Sequence, residues 1–415
     1  MGADGELSLP TLTPVGAPSG SRSLEDCYEM KGQVGEGMYG KVYKMEDKND
    51  KGVLVATKQF RMDNEKDGFP ITAIREIKLL SKFTADREER KRKGEKSNGS
   101  DDFVVNLKEI VTSRATTEND NKGGIYMVFE YMEHDLAGIR DNKACRFDLP
   151  QIKLIMWQIL SGLNACHKNK IIHRDLKCSN VLMNIKGDVK LADFGLARKM
   201  GDKSRMTPKV ITLWYRPPEL LLGHDGNASN RVGAEYDEGV DMWSAGCIMA
   251  ELLLDKPLLP GKEENDQIFR IFKMFGRPTN REWPGVENFV FYKRMIDQEH
   301  QRKKKFVNEF VSHMKNFAKH RMTEECLDLL CGLLSMNPKN RMKSKRACSH
   351  PWFHEGANIY PDREDLGWFN SQQYLKTKQS LARTLTQVDD SHEYEQRLKR
   401  KREKQQGRPM SRHFN

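Results

Sequence analysis

The apolar positions at the start of the chain follow the pattern of β-strands. Between Tyr28 and Phe60 they occur in short β-branched runs, and the polar stretch Lys48–Gly52 separates two of these runs. Runs of this kind with a turn between them are typical of antiparallel strands. A further strand-like segment covers Ile125–Phe129. The first part of the chain is therefore predicted to be rich in β-structure.

One helix interrupts this region. After Pro70, which suits a first helical turn, apolar residues recur in three-residue steps at positions 74, 77, 80 and 83. The polar insertion 84–101 follows, and a loop is the prediction for it. The alternative is a solvated helical turn, supported by charge pairs between Glu88–Glu89 and the basic run Arg90–Lys93.

The pattern then becomes mainly helical. Four apolar residues at positions 152, 155, 159 and 163 lie on one face of a predicted amphipathic helix, and Val240–Leu254 is apolar nearly all round, as in a buried helix. We therefore predict an α+β fold with two lobes in one domain over 25–353. The β-rich lobe covers about 25–132, and the larger α-helical lobe covers about 133–353.

Both ends of the chain are polar. Residues 1–24 are rich in Gly, Pro, Ser and Thr and are predicted to be disordered. Residues 354–415 form a polar, basic C-terminal extension that contains the cluster Arg397–Arg402. In a chain of net charge +11, nuclear import is the first interpretation of this cluster. Weak attraction to RNA or to an acidic substrate is the second.

Composition excludes several other classes of protein. The eight cysteines contain no CxxC pair, which argues against a zinc ribbon or a disulfide framework and predicts reduced thiols. The longest apolar stretch, Ala245–Leu254, is about half of the ~20 residues that a membrane span needs, so no membrane association is predicted. With 415 residues, the chain is long enough to bury a large core.

Two motifs carry candidate chemistry. The first is a GxGxxG sequence at Gly35–Gly40, which continues as a strand and therefore caps a hairpin whose amides can approach an anion. The second is His173–Asn180, which places a carboxylate, an ammonium and an amide in one loop, with Asp193–Gly195 following a predicted strand. Phosphoryl transfer needs hard oxygen ligands for a metal, a positive group near the phosphate and a carboxylate facing the hydroxyl.

These motifs, together with Lys58 and Glu76, resemble the eukaryotic protein kinase family over about residues 28–353. The resemblance implies that Asp175 orients the substrate hydroxyl, Lys177 contacts the γ-phosphate of ATP, and Asn180 and Asp193 hold Mg²⁺. Lys58, paired with Glu76, would position the other phosphates. It also implies an ATP-binding set formed by Val34, Gly35, Glu36, Gly37, Gly40, Val42, Ala56, Lys58, Phe129, Met132 and Leu182.

A narrower resemblance follows from Pro70–Glu76, which is similar to the PITAIRE helix of cyclin-dependent kinases. The members most similar to it are the transcriptional ones, which phosphorylate Ser-Pro sites in the C-terminal domain of RNA polymerase II. The resemblance implies a cyclin partner on this helix. It also implies proline direction through Val210 and Arg216, a Glu219–Arg341 pair, and Asp241 as a brace for the catalytic loop.

Phosphorylation sites follow from the same resemblance. Three arginines are expected to converge on phosphorylated Thr207, whose charge would join groups that otherwise repel one another: Arg75, Arg174 and Arg198. Pro208 makes Thr207 itself resemble a proline-directed target, so self-phosphorylation in trans is a hypothesis. Met38 replaces the threonine that many relatives carry beside an inhibitory tyrosine, which leaves Tyr39 as the acceptor there.

The interpretation is a nuclear, cyclin-dependent serine/threonine kinase that uses ATP and Mg²⁺ and acts in transcription. The first alternative is a cell-cycle kinase of the same family. A non-catalytic pseudokinase is disfavoured because a scaffold has no physical need of Lys58, Glu76, Asp175, Asn180 and Asp193 together. A mitogen-activated kinase would need Thr-x-Tyr where this chain has Thr207-Pro208-Lys209.

Overall fold

The computed structural model describes most of the chain, and two compact units make it up. The described residues are 22–37, 40–60, 70–94, 100–114, 123–141, 146–201, 211–223, 237–289, 291–293, 296, 306–354 and 372–386. The first unit combines residues 1–63 with 107–131, and the second combines 64–106 with 132–415. Most of the N-terminal extension, Tyr39, Thr207, Val210 and the basic cluster 397–402 lie outside the described residues. No described helix is long and apolar enough to cross a membrane.

The first unit is a five-stranded antiparallel sheet in the order β1-β2-β3-β5-β4. Its elements are the short helix α1 (Leu24–Cys27) and the strands β1 (Tyr28–Gly37), β2 (Gly40–Asp47), β3 (Leu54–Phe60), β4 (Leu107–Thr112) and β5 (Ile125–Glu130). Within the β-branched runs of the sequence, Val55 is fully buried, as is Val128 of β5, whereas Val42 and Val53 are half-buried. The prediction of disorder is wrong for the last residues of segment 1–24, since Leu24 is buried and Ser23 bridges to Thr112.

The second unit is mainly helical. Its helices are α2 (Ile71–Arg92), α3 (Leu136–Asp141), α4 (Leu149–Lys168), α5 (Pro218–Leu222), α6 (Gly239–Leu254), α7 (Glu264–Phe275), α8 (Phe310–Ala318), α9 (Glu324–Leu333), α10 (Ser344–Ala347) and α11 (Gln372–Thr386). Its strands are β6 (His134–Asp135), β7 (Ile171–Ile172), β8 (Val181–Met183), β9 (Val189–Leu191) and β10 (Arg198–Lys199). Helices α4 and α6 form the core, and the apolar positions predicted for them are buried.

Helix α2 is longer than the sequence predicted. The loop prediction for the polar insertion is wrong over residues 84–92, which continue the helix. The alternative of charge-supported helix is confirmed by the Glu89–Lys93 pair, 2.8 Å apart at i,i+4 spacing. Arg87, in the middle of this polar stretch, is buried, so the extension also has a tertiary anchor that no periodicity reveals.

Part of the C-terminal extension folds back onto the second unit. Helix α11 packs on α4, and its Leu381 and Leu385 are both fully buried. The polar composition of residues 354–415 does not predict this contact. Among the described residues of α11, only these two leucines, one turn apart on a single face, are both apolar and buried.

Polar contacts fix the orientation of α11. Gln151, in the capping box of α4, donates from Nε2 to Ser380 Oγ (3.1 Å) and Thr384 Oγ1 (3.0 Å). Lys378 forms an ion pair with Asp188. Burial of Asp188 favours its neutral form, but the adjacent Lys378 lowers the pKa of this carboxyl below its usual value. The pair therefore stabilises the docked helix at neutral pH and loses this effect as the pH falls through that lowered pKa.

Substitution Leu381→Ala should release α11 without unfolding the rest of the unit. Replacing a fully buried leucine by alanine costs roughly 2–5 kcal/mol. This exceeds the free energy that is expected to stabilise the docking of one short helix. Hydrogen exchange should therefore accelerate over residues 376–385 and stay unchanged in α4 and α6. Gln379→Ala, at an exposed position of the same helix, is the control. Equal protection in the two variants would contradict the docking.

Candidate active site

The candidate site is built around the loop that follows β7. Asp241 of α6 is fully buried, and its two carboxylate oxygens accept hydrogen bonds from the backbone N–H groups of His173 and Arg174, each 2.9 Å long. Arg174 has φ of 65°, an uncommon value for a residue other than glycine. Burial favours the neutral form of Asp241, but the hydrogen bond from His167 lowers its pKa below the usual value. The predicted brace is thus observed, and it holds a strained turn in place.

Donors surround the carboxylate of Asp175 on both sides. Its Oδ2 accepts from Lys177 Nζ (2.9 Å) and Asn180 Nδ2 (3.2 Å), and its Oδ1 accepts from the hydroxyl of Thr212 (3.1 Å). Asp175 is 6% exposed, so the group is held in one orientation at the edge of solvent. This arrangement can accept a proton from an incoming hydroxyl while the ammonium of Lys177 stands beside it to neutralise a phosphoryl group.

Two contacts link Asn180 to Asp175 and to the residue directly before Asp193. Asn180 uses Nδ2 on the backbone oxygen of Asp175 (2.8 Å), which leaves its amide oxygen as a candidate ligand. Its own backbone oxygen accepts from Ala192 N (2.9 Å), directly before Asp193. Hard oxygen donors of this kind fit Mg²⁺, which takes few protein ligands and completes its shell with water and phosphate oxygens. The described residues contain no group of three or more His, Cys, Asp or Glu side chains arranged for a metal.

Aromatic contacts join three elements behind this site. The ring of Phe194, directly after Asp193, lies 4.7 Å from the ring of His173 and 6.3 Å from that of Phe83 on α2. His173 Nε2 also lies 3.0 Å from the carbonyl oxygen of Ala192. The catalytic loop, the segment around Asp193 and α2 are therefore packed together inside the second unit.

The glycine motif caps the β1–β2 hairpin in the first unit, as predicted. Gly37 pairs with Gly40 across the hairpin. Gly40 has φ of 147°, and a Cβ there would lie 1.8 Å from the backbone oxygen of Gln59, so no larger residue fits. Glycine is therefore required here by the close approach of β2 to β3, and the binding of an anion by this hairpin stays a prediction.

The strand register groups several predicted ATP-binding residues on one face of this sheet. Val42 is the direct partner of both Gly35 and Lys58, and Ala56 is the partner of Phe129. Directly paired residues point to the same face, and so do residues two apart along a strand. The remaining predicted residues Glu76, Met132 and Leu182 belong to the second unit, so the Lys58–Glu76 pair stays a prediction.

The structure places the three arginines that were predicted to bind a phosphate. Arg174 donates from Nε to the carbonyl oxygen of Leu196 (2.7 Å), and Arg198 lies on β10, which pairs with β7 next to the catalytic loop. Arg75 is half-buried near the start of α2. Because Thr207 lies outside the described residues, the convergence of the three on a phosphothreonine stays a prediction, as does the role of Tyr39.

Sequence reasoning missed the strained residue in the segment that precedes α5. Proline direction was expected from Val210 and Arg216, of which Val210 lies outside the described residues. The structure instead shows Ile211 with φ of 68°, an outlier for a β-branched residue. Its carbonyl oxygen accepts two hydrogen bonds from Arg216, through Nη2 (2.9 Å) and Nε (3.2 Å), and Arg216 is itself paired with Glu264. No sequence pattern marks a left-handed isoleucine, because its support comes from distant residues.

Two ion pairs anchor this segment and the start of α5. The predicted Glu219–Arg341 pair is observed and bidentate, with bonds of 2.7 and 2.9 Å and an Arg341 side chain without exposure. A second pair was not predicted: Glu251 of α6 bonds Arg140 and accepts from the hydroxyl of Tyr215 (2.9 Å). Burial, followed by the charge of neighbouring groups, raises the pKa of Tyr215 well above its usual value, so it remains a donor.

The β-sheet unit, the helical unit and the braced catalytic loop define a protein kinase domain. In agreement, residues 93–353 match the family described as Protein kinase domain. The chain belongs to the protein kinase family, and its relatives place it in the cyclin-dependent group of serine/threonine kinases.

Three comparisons support this placement. The chain is 42% identical over 386 residues to cyclin-dependent kinase C-2 of Arabidopsis thaliana, covering 91% of this chain and 67% of that protein. It is 39% identical over 336 residues to cyclin-dependent kinase 9 of Homo sapiens, covering 79% of this chain and 80% of the relative. A chain in the crystal structure of the yeast RNA Pol II CTD kinase CTDK-1 complex is similar, with TM-score 0.67 and 35% identity over 84% of this chain and 99% of that one.

Proposed function

We propose that this kinase transfers the γ-phosphate of ATP to serine or threonine residues followed by proline, and that its substrate is the C-terminal domain of RNA polymerase II. The observation that carries the proline preference is the occupied carbonyl oxygen of Ile211. Since Arg216 donates two hydrogen bonds to it, a substrate residue with an N–H at this point finds its acceptor taken. Proline has no N–H and leaves no unpaired donor.

The roles of the catalytic residues follow from their surroundings. Asp175 takes up or orients the hydroxyl proton, and Lys177 stabilises the transferred phosphoryl group. Asn180 and Asp193 hold Mg²⁺, which neutralises the phosphate oxygens when bound. The glycine hairpin and Lys58 bind the phosphates of ATP, and the apolar face formed by Val42, Ala56 and Phe129 takes the base.

Regulation is proposed to use a cyclin and a phosphate. A cyclin bound to the PITAIRE segment of α2 would hold Glu76 in place. Phosphorylated Thr207 would attract the guanidinium groups of Arg75, Arg174 and Arg198, because a phosphate supplies about −1.5 to −2 charge and three acceptors. The basic cluster 397–402 supports a nuclear location and, secondarily, weak contact with RNA or with an already phosphorylated substrate.

The substrate proposal can be tested with the native kinase–cyclin complex and matched peptides. Repeats of the polymerase C-terminal domain should be phosphorylated on serines followed by proline. Replacing that proline by alanine should lower kcat/KM by roughly 10- to 100-fold, since burying an unpaired N–H costs about 1–3 kcal/mol. Histone-type Ser-Pro peptides serve as the comparison. A preference for them over the polymerase repeats would favour the cell-cycle alternative and contradict the proposed substrate.

A further inference from the structure

A buried arginine joins the extended part of α2 to the segment that precedes β4. Arg87 donates from Nη1 to Asn106 Oδ1 (2.8 Å) and from Nη2 to the carbonyl oxygen of Val104, and its Nε lies 3.8 Å from Asp102. The hydroxyl of Thr84, one turn earlier, donates to the same Asn106 oxygen (3.2 Å). We call the contacts of Arg87 with Val104, Asn106 and Asp102 the α2 clamp.

The clamp is unusual for its place in the chain. It lies in a polar insertion where charged side chains are expected to remain in water, yet Arg87 is 8% exposed. Taking a guanidinium out of water is unfavourable unless hydrogen bonds and an opposite charge replace the water. A carbonyl oxygen, an amide oxygen and a carboxylate do so here. The planar guanidinium fixes both the direction and the length of these hydrogen bonds, whereas the ammonium of a lysine would not fix their direction.

The clamp leads directly to the metal-binding segment. Val105 donates its N–H to the carbonyl oxygen of Leu191 (2.9 Å), and Val104 forms a parallel bridge with the same residue. Leu191 ends β9, two residues before Asp193. Phe83, one turn before Arg87 on α2, lies 6.3 Å from Phe194 on the other side of Asp193. Two attachments one turn apart therefore connect α2 to both flanks of Asp193.

From these contacts we propose that Arg87 is a positioning residue for phosphoryl transfer. Arg87 prevents α2 from sliding along its own axis relative to Asp193. It thereby fixes the axial position of Glu76, which lies 11 residues earlier, about 16 Å along the helix. Tight packing transmits such a constraint, because a helix held at two adjacent turns cannot slide or rotate freely. This inference rests on the proposed role of Glu76 in binding ATP through Lys58.

The test compares Arg87→Met with Arg92→Met in the full-length kinase–cyclin complex. Both variants remove one positive charge from the same helix, but Arg92 is exposed. Arg87→Met should raise the Kd for a fluorescent ATP analogue in MgCl2, and the KM for ATP, by roughly 3- to 30-fold, while kcat at saturating ATP changes much less. Arg87→Lys should be intermediate, and Arg92→Met should match the unmodified chain.

Hydrogen exchange supplies a readout that does not need catalysis. Arg87→Met should speed exchange in residues 72–92 and 103–106 and leave α4 and α6 unchanged. Faster exchange throughout the second unit would show that Arg87 stabilises the whole unit and does not position α2 specifically, which would overturn the proposal. Identical nucleotide affinity in Arg87→Met and Arg92→Met would overturn it as well. If the unmodified complex transfers no phosphate but the exchange change is local and nucleotide affinity falls, the proposed function fails and the clamp stands.

Discussion

Asp175→Asn is expected to lower kcat by roughly 10²- to 10⁴-fold, the range for loss of a general acid or base. The reason lies in the surroundings of the carboxylate. Its two oxygens accept from donors on both sides, including Lys177 and Thr212. An asparagine has one acceptor oxygen and one donor group, so its amide must face a donor on one side. It also cannot take up a proton from the substrate.

The measurement is single-turnover phosphorylation with the variant at saturating ATP and peptide. Because Asp175 is proposed to face the substrate hydroxyl and not the phosphates of ATP, ATP affinity should change little. Thermal unfolding should stay within a few degrees of the unmodified chain, which separates lost chemistry from lost structure. Retention of more than about a tenth of the activity would remove Asp175 from its proposed role.

Arg341→Ala should have the largest effect on stability. The guanidinium is without exposure, and it bonds Glu219 twice, the carbonyl oxygen of Gly239 at 2.8 Å and that of Ser335 at 3.1 Å. Removing one partner of a buried ion pair leaves the other charge uncompensated and costs about 3–5 kcal/mol. This is a large share of the roughly 5–15 kcal/mol that stabilises a folded protein, so the midpoint of thermal unfolding should fall by about 10 °C.

An exposed ion pair provides the control. Lys315 and Glu324 approach to 2.7 Å, but their side chains are 48% and 78% exposed. Solvent screens such a pair, and Lys315→Ala should shift the unfolding free energy by no more than about 0.5 kcal/mol. Similar midpoints for the two variants would show that the Glu219–Arg341 pair does not hold the start of α5 to the rest of the second unit.

The contacts of Ile211, Tyr215 and Glu219 hold the segment that leads into α5 in one conformation. Each of these residues is bonded to a partner that is distant in the chain: Glu264 through Arg216, Arg341 directly, and Glu251 of α6. A strained isoleucine at φ of 68° persists only where its surroundings determine it. We infer that the segment held by these contacts is the physical basis for the proposed proline preference.

The amino-acid sequence was sufficient to predict the elements whose evidence is local. The strand pattern before Phe60, the helical period after Pro70 and the buried helix over Val240–Leu254 all appear as expected, because each depends on periodicity within a short window. The catalytic loop was recognisable for the same reason, since its carboxylate, ammonium and amide fall within a few residues. The Glu219–Arg341 pair came from family resemblance rather than from any local pattern.

Tertiary structure alone decided the features in which distant groups meet. Arg87 is buried in a stretch of charges because Val104 and Asn106 offer it acceptors, and Leu381 is buried in a polar tail because α4 covers it. Ile211 takes a left-handed conformation because Arg216, itself held by the distant Glu264, bonds its carbonyl oxygen. The local sequence pattern does not predict such partners, because burial and hydrogen bonding depend on residues that become neighbours only in the folded chain.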